Sequence, residues 1–182
     1  EQFGNIYVAG IFSGHMIIGD DTLKSLGLND VLVMKLSPTG FPLWYRQFEV
    51  TINTEIMPEQ IYLDRSGNVL VTGTFNGESS DVEGTVLTRT GYRDVFIAKY
   101  SSSGSFLWAT SYGVSEKSLG GSKIVSDASN NYYLICTGDY YSWMNKFNVN
   151  GQLLNESSVI GCKYNDIEIL NNELYIAGTV SG

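Results

Sequence analysis

Along this chain, apolar residues either alternate with polar ones or form short continuous runs, and Gly, Asn, Ser or Pro interrupts the pattern every few positions. Gln60-Ile61-Tyr62-Leu63-Asp64 enters Arg65-Ser66-Gly67-Asn68 and leaves through Val69-Leu70-Val71-Thr72-Gly73-Thr74-Phe75. Gly and Asn supply the positive φ that a tight hairpin needs, so this stretch predicts two antiparallel strands. Residues 94–100, the turn Ser101-Ser102-Ser103-Gly104 and residues 106–110 predict two more, rich in β-branched and aromatic side chains. Apolar spacing of the i, i+3, i+4, i+7 kind over helical length is absent, and 20 glycines break the chain too often for helices. The expected fold class is all-β.

The same pattern returns at a fixed interval. Gly4-Asn5-Ile6-Tyr7-Val8-Ala9-Gly10 reappears as Gly67-Asn68-Val69-Leu70-Val71-Thr72-Gly73, 63 residues on. Asp30-Val31-Leu32-Val33-Met34-Lys35-Leu36 reappears as Asp94-Val95-Phe96-Ile97-Ala98-Lys99-Tyr100, and Gly40 and Trp44 as Gly104 and Trp108. A third copy carries Asn130-Asn131-Tyr132-Tyr133-Leu134, Lys146 and Gly151, and a fourth begins at Leu174-Tyr175-Ile176-Ala177-Gly178. Repeats of this length built from strands predict a β-propeller of four-stranded antiparallel blades, with units at about 1–63, 64–126, 127–168 (shortened) and 169–182 (incomplete). Residue 1 aligns inside a hairpin turn and Gly182 just after a second strand, so the expectation is one propeller segment of a longer chain, residues 1–182.

The order Asp-x-x-Gly-Asn-x-x-x-x-Gly, Gly-x-x-Asp-x-Phe-x-Ala-Lys and Gly-x-x-x-Trp stands here as Asp64 to Gly73, Gly91 to Lys99 and Gly104 to Trp108. It resembles the bacterial β-propeller repeat family of large secreted and cell-surface proteins. The first copy follows with Gly27, Asp30 and Lys35, so the resemblance covers nearly the whole chain. In the third copy Cys136-Thr137-Gly138-Asp139-Tyr140-Tyr141-Ser142-Trp143 shortens the long connection, and Asn155 replaces the tryptophan, which leaves regular geometry there in question. The resemblance implies a secreted or cell-surface repeat scaffold, often within a larger polypeptide, without a catalytic set common to the repeats. A secretion signal is not seen at Glu1-Gln2-Phe3.

Composition narrows the partners. Nineteen acidic against 11 basic residues give a net charge of −8, which opposes nucleic acid and anionic lipid, and no apolar run reaches the length of a membrane helix. Nucleic-acid binding and membrane insertion are therefore not expected. Cys136 and Cys162 are one bridge or two packed thiols.

His15 is the only histidine, so a Ser-His-Asp relay would have to pass through it, and no nucleophile elbow or phosphate loop is present. Neither a cofactor nor a metal site is expected. The Asp64 to Asn68 turn and its echo at Asp127 to Asn131 read as hairpin chemistry, not calcium loops, because they continue directly into apolar strands. Gly10, Asp30, Lys35, Trp44, Gly73, Asp94, Lys99 and Trp108 recur from copy to copy and read as structural. Asp30 with Lys35, and Asp94 with Lys99, read as paired charges, and the two tryptophans as packing between blades.

The connections at residues 11–29, 75–93, 49–58 and 113–121 are long and fall on one face of a meander array, where binding is expected. Parts of them, such as residues 22–24 and 86–88, extend the hairpins under an alternative reading. Tyr92, Tyr140, Tyr141 and Trp143 offer stacking faces and hydroxyls for a carbohydrate or a protein partner, or else pack within the blades. The leading expectation is a noncatalytic scaffold or binding module. The competing classes are a polysaccharide-cleaving enzyme using paired acids among Glu49, Glu55, Glu59, Asp81 and Glu83, and a component held in a secretion or adhesion assembly.

Overall fold

In the computed structural model, residues 4–48 and 55–180 are described, and every regular element among them is a β-strand. The first sheet has the order β1 (Ile6–Phe12), β4 (Asp30–Leu36), β5 (Pro42–Phe48). Between its first two strands lies a separate hairpin of β2 (His15–Ile18) and β3 (Asp21–Lys24). The second sheet runs β6 (Ile56–Leu63), β7 (Val69–Phe75), β10 (Asp94–Tyr100), β11 (Phe106–Tyr112), and the corresponding inserted hairpin is β8 (Ser79–Val82) with β9 (Thr85–Thr88). The third runs β12 (Gly120–Ser126), β13 (Tyr132–Thr137), β14 (Tyr141–Phe147), β15 (Leu153–Ile160) without such a hairpin. A last antiparallel pair joins β16 (Cys162–Leu170) to β17 (Glu173–Val180).

Every strand within a sheet pairs antiparallel with its sequence neighbour, hairpin inserts aside, so each sheet is a meander. The sheets pack face to face in chain order: β6 lies against β1 and β4, β12 against β6 and β7, and β16 against β12, β13 and β14. Stacking explains why Val69–Phe75 and Asp94–Tyr100 are buried at every position and read as continuous runs instead of alternating ones.

No sheet owns a core. Val31, Val33 and Phe48 of the first sheet meet Val71, Phe75, Phe96 and Tyr100 of the second, with the Phe48 ring 6.0 Å from Tyr100 and 5.9 Å from Phe96. Leu70, Val95 and Ile97 meet Ile124, Tyr132, Leu134 and Trp143 across the next interface. Each fully buried aliphatic or Phe side chain there contributes about 1.5–3 kcal/mol. The β8–β9 hairpin belongs to the first of these cores through Val82 and Leu87, whereas their counterparts Ile18 and Leu23 in β2–β3 are half-buried. The long second-to-third connections thus hold a strand pair in both copies that have them. The shortened third copy is still a four-stranded meander, with a register shift between Gly120 and Lys123 in β12.

Candidate functional site

The recurring tryptophans hold the sheets to one another. Trp44 Nε1 donates to Ser102 O at 3.2 Å, and its ring covers Gly104, where a Cβ would lie 2.7 Å from Trp44 Cδ2. Trp108 repeats this one sheet later, donating to Val149 O at 3.0 Å over Gly151, where a Cβ would lie 2.6 Å from Trp108 Cε3. Both glycines have positive φ, 83° and 78°, so turn geometry and ring contact each require them.

The charged repeat residues serve different turns. Asp30 accepts from Leu26 N at 3.1 Å and Gln47 Nε2 at 2.7 Å, and Asp94 from Thr90 N at 2.6 Å and Gly91 N at 2.8 Å. Both acids therefore pin the loop that leads into their strand. Lys99 stands at the far end of β10 and reaches Asp64 Oδ2 at 3.5 Å, so the expected Asp94–Lys99 pair is replaced by Asp64–Lys99. Lys35 Nζ lies 3.5 Å from Ser102 O and 5.2 Å from the Tyr7 ring. Asp64 also accepts from Ser66 N, Asn68 N and Asn68 Nδ2, each at 2.9 Å, and from the Tyr132 hydroxyl at 3.0 Å. Burial pushes its carboxyl up, but the Asn68 bonds, the Tyr132 hydroxyl and the Lys99 ammonium outweigh it and hold it below the usual carboxylate range. Asp127 repeats the turn with Ser129 and Asn131.

The chemistry left over lies at the end of the meanders where the long connections gather. Tyr92 is 63% exposed and Tyr140 is 74% exposed. Tyr92 N donates to Lys117 O at 2.7 Å, and Lys117 Nζ sits 5.6 Å from the half-buried Tyr141 ring. Tyr140 O accepts from Gly161 N at 2.8 Å, which ties its turn to the start of β16. The connections at residues 89–93, 114–119 and 138–141 thus form one linked surface that carries two free aromatic faces. Trp143 is not part of it: at 5% exposed it lies in the core between the second and third sheets, against Gly138. It lies in β14 opposite Cys136, three residues before Lys146, as Phe96 lies in β10 opposite Gly73, three residues before Lys99.

Of the candidate acids with described surroundings, Asp81 and Glu83 lie together, and Glu55 and Glu59 have partners of their own. Glu55 meets Asn76 Nδ2 at 3.1 Å and Arg93 Nη2 at 3.8 Å, and Glu59 accepts from Ser122 N at 2.5 Å and Ser122 Oγ at 2.6 Å. Asp81 and Glu83 share a cavity of about 330 Å³ with Gln47 and Gly84, but Asp81 caps Gly84 N at 2.6 Å and Glu83 faces Arg46 Nε at 3.9 Å. Glu49 lies outside the described residues. His15 is exposed, and among the described residues no three His, Cys, Asp or Glu gather to hold a metal. Cys136 and Cys162 are free thiols; burial, then the charges of Glu59 and Glu156, push the Cys136 thiol far up.

One feature escaped the sequence reading. Tyr45 OH donates to Asp21 Oδ2 at 2.6 Å, closing the β2–β3 tip onto β5 beside a cleft of about 380 Å³ lined by Ile18 to Asp21 and Pro42 to Tyr45. The hydrogen bond to Asp21 raises the Tyr45 hydroxyl above its ordinary range. The second copy has Thr85 and Ala109 at these places, and that asymmetry was the available signal.

No protein-family profile and no curated protein matches the chain. A crystal structure of a protein of unknown function from Bacteroides caccae is similar to it at 17% identity and a TM-score of 0.47, over 79% of this chain. The chain spans 46% of the length of that protein.

Proposed function

We propose that the chain is a noncatalytic β-propeller segment of a larger secreted or cell-surface protein, and that it binds a carbohydrate or protein partner through its loop-rich end. The observation that carries this reading is the pair of exposed rings, Tyr92 and Tyr140, on linked connections of adjacent sheets. An exposed tyrosine joins a flat apolar face to a hydroxyl, the combination that suits a sugar ring or a peptide. Support for a propeller comes from the meander order, the face-to-face stacking and the repeat resemblance. Support for a noncatalytic role comes from the acids: those with described surroundings close turns and bond neighbouring sheets.

The test is a glycan array probed with the labelled full chain, alongside the Tyr92→Ala/Tyr140→Ala variant. Retention of neutral polysaccharides by the wild type, with loss of signal in the variant, is the expected result. Equal retention by both proteins would remove the loop-rich end from the function. Cleavage of any retained glycan would return the enzyme reading.

A further inference from the structure

The second and third sheets differ at one matched place. In the second, the β8–β9 hairpin packs against β11, and its Val82 and Leu87 share one core with Phe48, Ala98 and Ala109. The third sheet has no such hairpin. At the positions corresponding to Phe48, Ala98 and Ala109, the next interface carries Tyr112, Asn145 and Glu156. The register agrees: Asn145 pairs with Glu156 as Ala98 pairs with Ala109. Burial first, and then the Glu156 charge, raise the Tyr112 hydroxyl well above its ordinary range, with the Asn145 amide acting the other way, so the three groups lie together. Tyr112 is 8% exposed and Asn145 is inaccessible. Among the described residues, the Tyr112 hydroxyl and both polar atoms of the Asn145 amide nevertheless have no partner at hydrogen-bonding distance.

A buried amide whose donors and acceptor go unmet destabilises a fold, so this cluster points to a polar ligand that meets them. We propose that Tyr112, Asn145 and Glu156 form a binding site for a neutral polyhydroxylated ligand, a sugar ring with adjacent hydroxyls, entered beside the outer strand β15 at the place that β8–β9 takes beside β11. A hydroxyl both donates and accepts, as the phenol and the amide do, while the Glu156 carboxylate only accepts. Two adjacent hydroxyls satisfy this set: one donates to Glu156 and accepts from Tyr112, and the other takes both polar atoms of the Asn145 amide. A cation would leave the amide donors unmet, and an anion would meet the Glu156 charge. Trp143, in one core with Tyr112, stands on the same face of β14 as Asn145 and supplies an apolar wall. Glu156 is exposed, which leaves the outer side of the ligand in solvent. Both flanking sheets have all four strands. The inference rests on the carbohydrate reading above, but not on Tyr92 or Tyr140.

The experiment follows the Asn145 side-chain amide in proton–nitrogen correlation spectra of the full chain, its signal assigned by its loss in Asn145→Ala, while glucose, galactose and mannose are titrated in turn. At least one sugar is expected to shift that signal saturably. Tyr112→Phe and Glu156→Gln are each expected to weaken this sugar about tenfold, the loss of one hydrogen bond in the site, without lowering the melting temperature. No saturable shift by any of the three sugars, or equal affinity in both variants, would overturn the proposal. So would a long-lived water at the Asn145 amide that none of the sugars displaces. Tyr92→Ala/Tyr140→Ala should keep the wild-type shift, so failure of the loop-rich end on the array and failure of this site read out separately. Loss of the shift in that double variant would overturn a separate site.

Discussion

Asp64 is nearly inaccessible and is held by four hydrogen bonds and the Lys99 ammonium, whose own side chain is 4% exposed. Truncating one member of such a buried pair leaves the other charge unpaired, so Asp64→Ala is expected to cost about 3–5 kcal/mol in urea denaturation at neutral pH. The folded carboxyl lies below its unfolded value, so its contribution is complete above about pH 4 and is lost as pH falls through the folded value. Asp64→Asn should therefore lose less stability on acidification than the wild type. An acid limb equally steep in both would contradict this assignment. Trp108 is half-buried, so Trp108→Ala is expected to cost about 2–3 kcal/mol, below the roughly 3–5 of a fully enclosed ring.

At the scale of strands, Gly73→Ala is expected to cost about 3 kcal/mol, the upper end for overpacking, because the colliding atoms belong to the backbone of β6. Gly10→Ala should leave the melting temperature unchanged, since a Cβ there would meet nothing within 4 Å among the described residues, and calorimetry on the two variants reads the contrast. Strand limits were legible wherever a strand is covered on both faces and bounded by turn residues: residues 30–36, 69–75 and 94–100 follow directly from the apolar runs. The inserted hairpins were only half legible, since four-residue strands carry too little pattern to separate from a loop. Trp143 was misplaced although the signal was present: it stands three residues before Lys146, as the core residue Phe96 stands before Lys99. The Tyr45–Asp21 contact joins residues 24 apart, and it depends on how a hairpin folds over β5.

Over the whole molecule, Trp44, Trp108 and Lys99 among the recurring residues fasten one sheet to the next, whereas Tyr92 and Tyr140 stand exposed on the connections. Ile6 and Ile11 of β1, Ile17 of β2, Ile160 of β15, Leu170 of β16 and Val180 of β17 are also exposed, enough apolar surface to favour association. Concentration-dependent self-association of the chain is expected in sedimentation velocity, and a single monomeric species across the range would count against it. The division between recurring and departing residues is tested most directly by measuring melting temperature and affinity together for two variants, using whichever glycan the array selects. Tyr92→Ala/Tyr140→Ala should lose affinity at unchanged melting temperature, and Trp108→Ala should melt earlier yet bind equally well per folded molecule. The reverse assignment, with stability lost through the tyrosines and affinity through the tryptophan, would contradict the account.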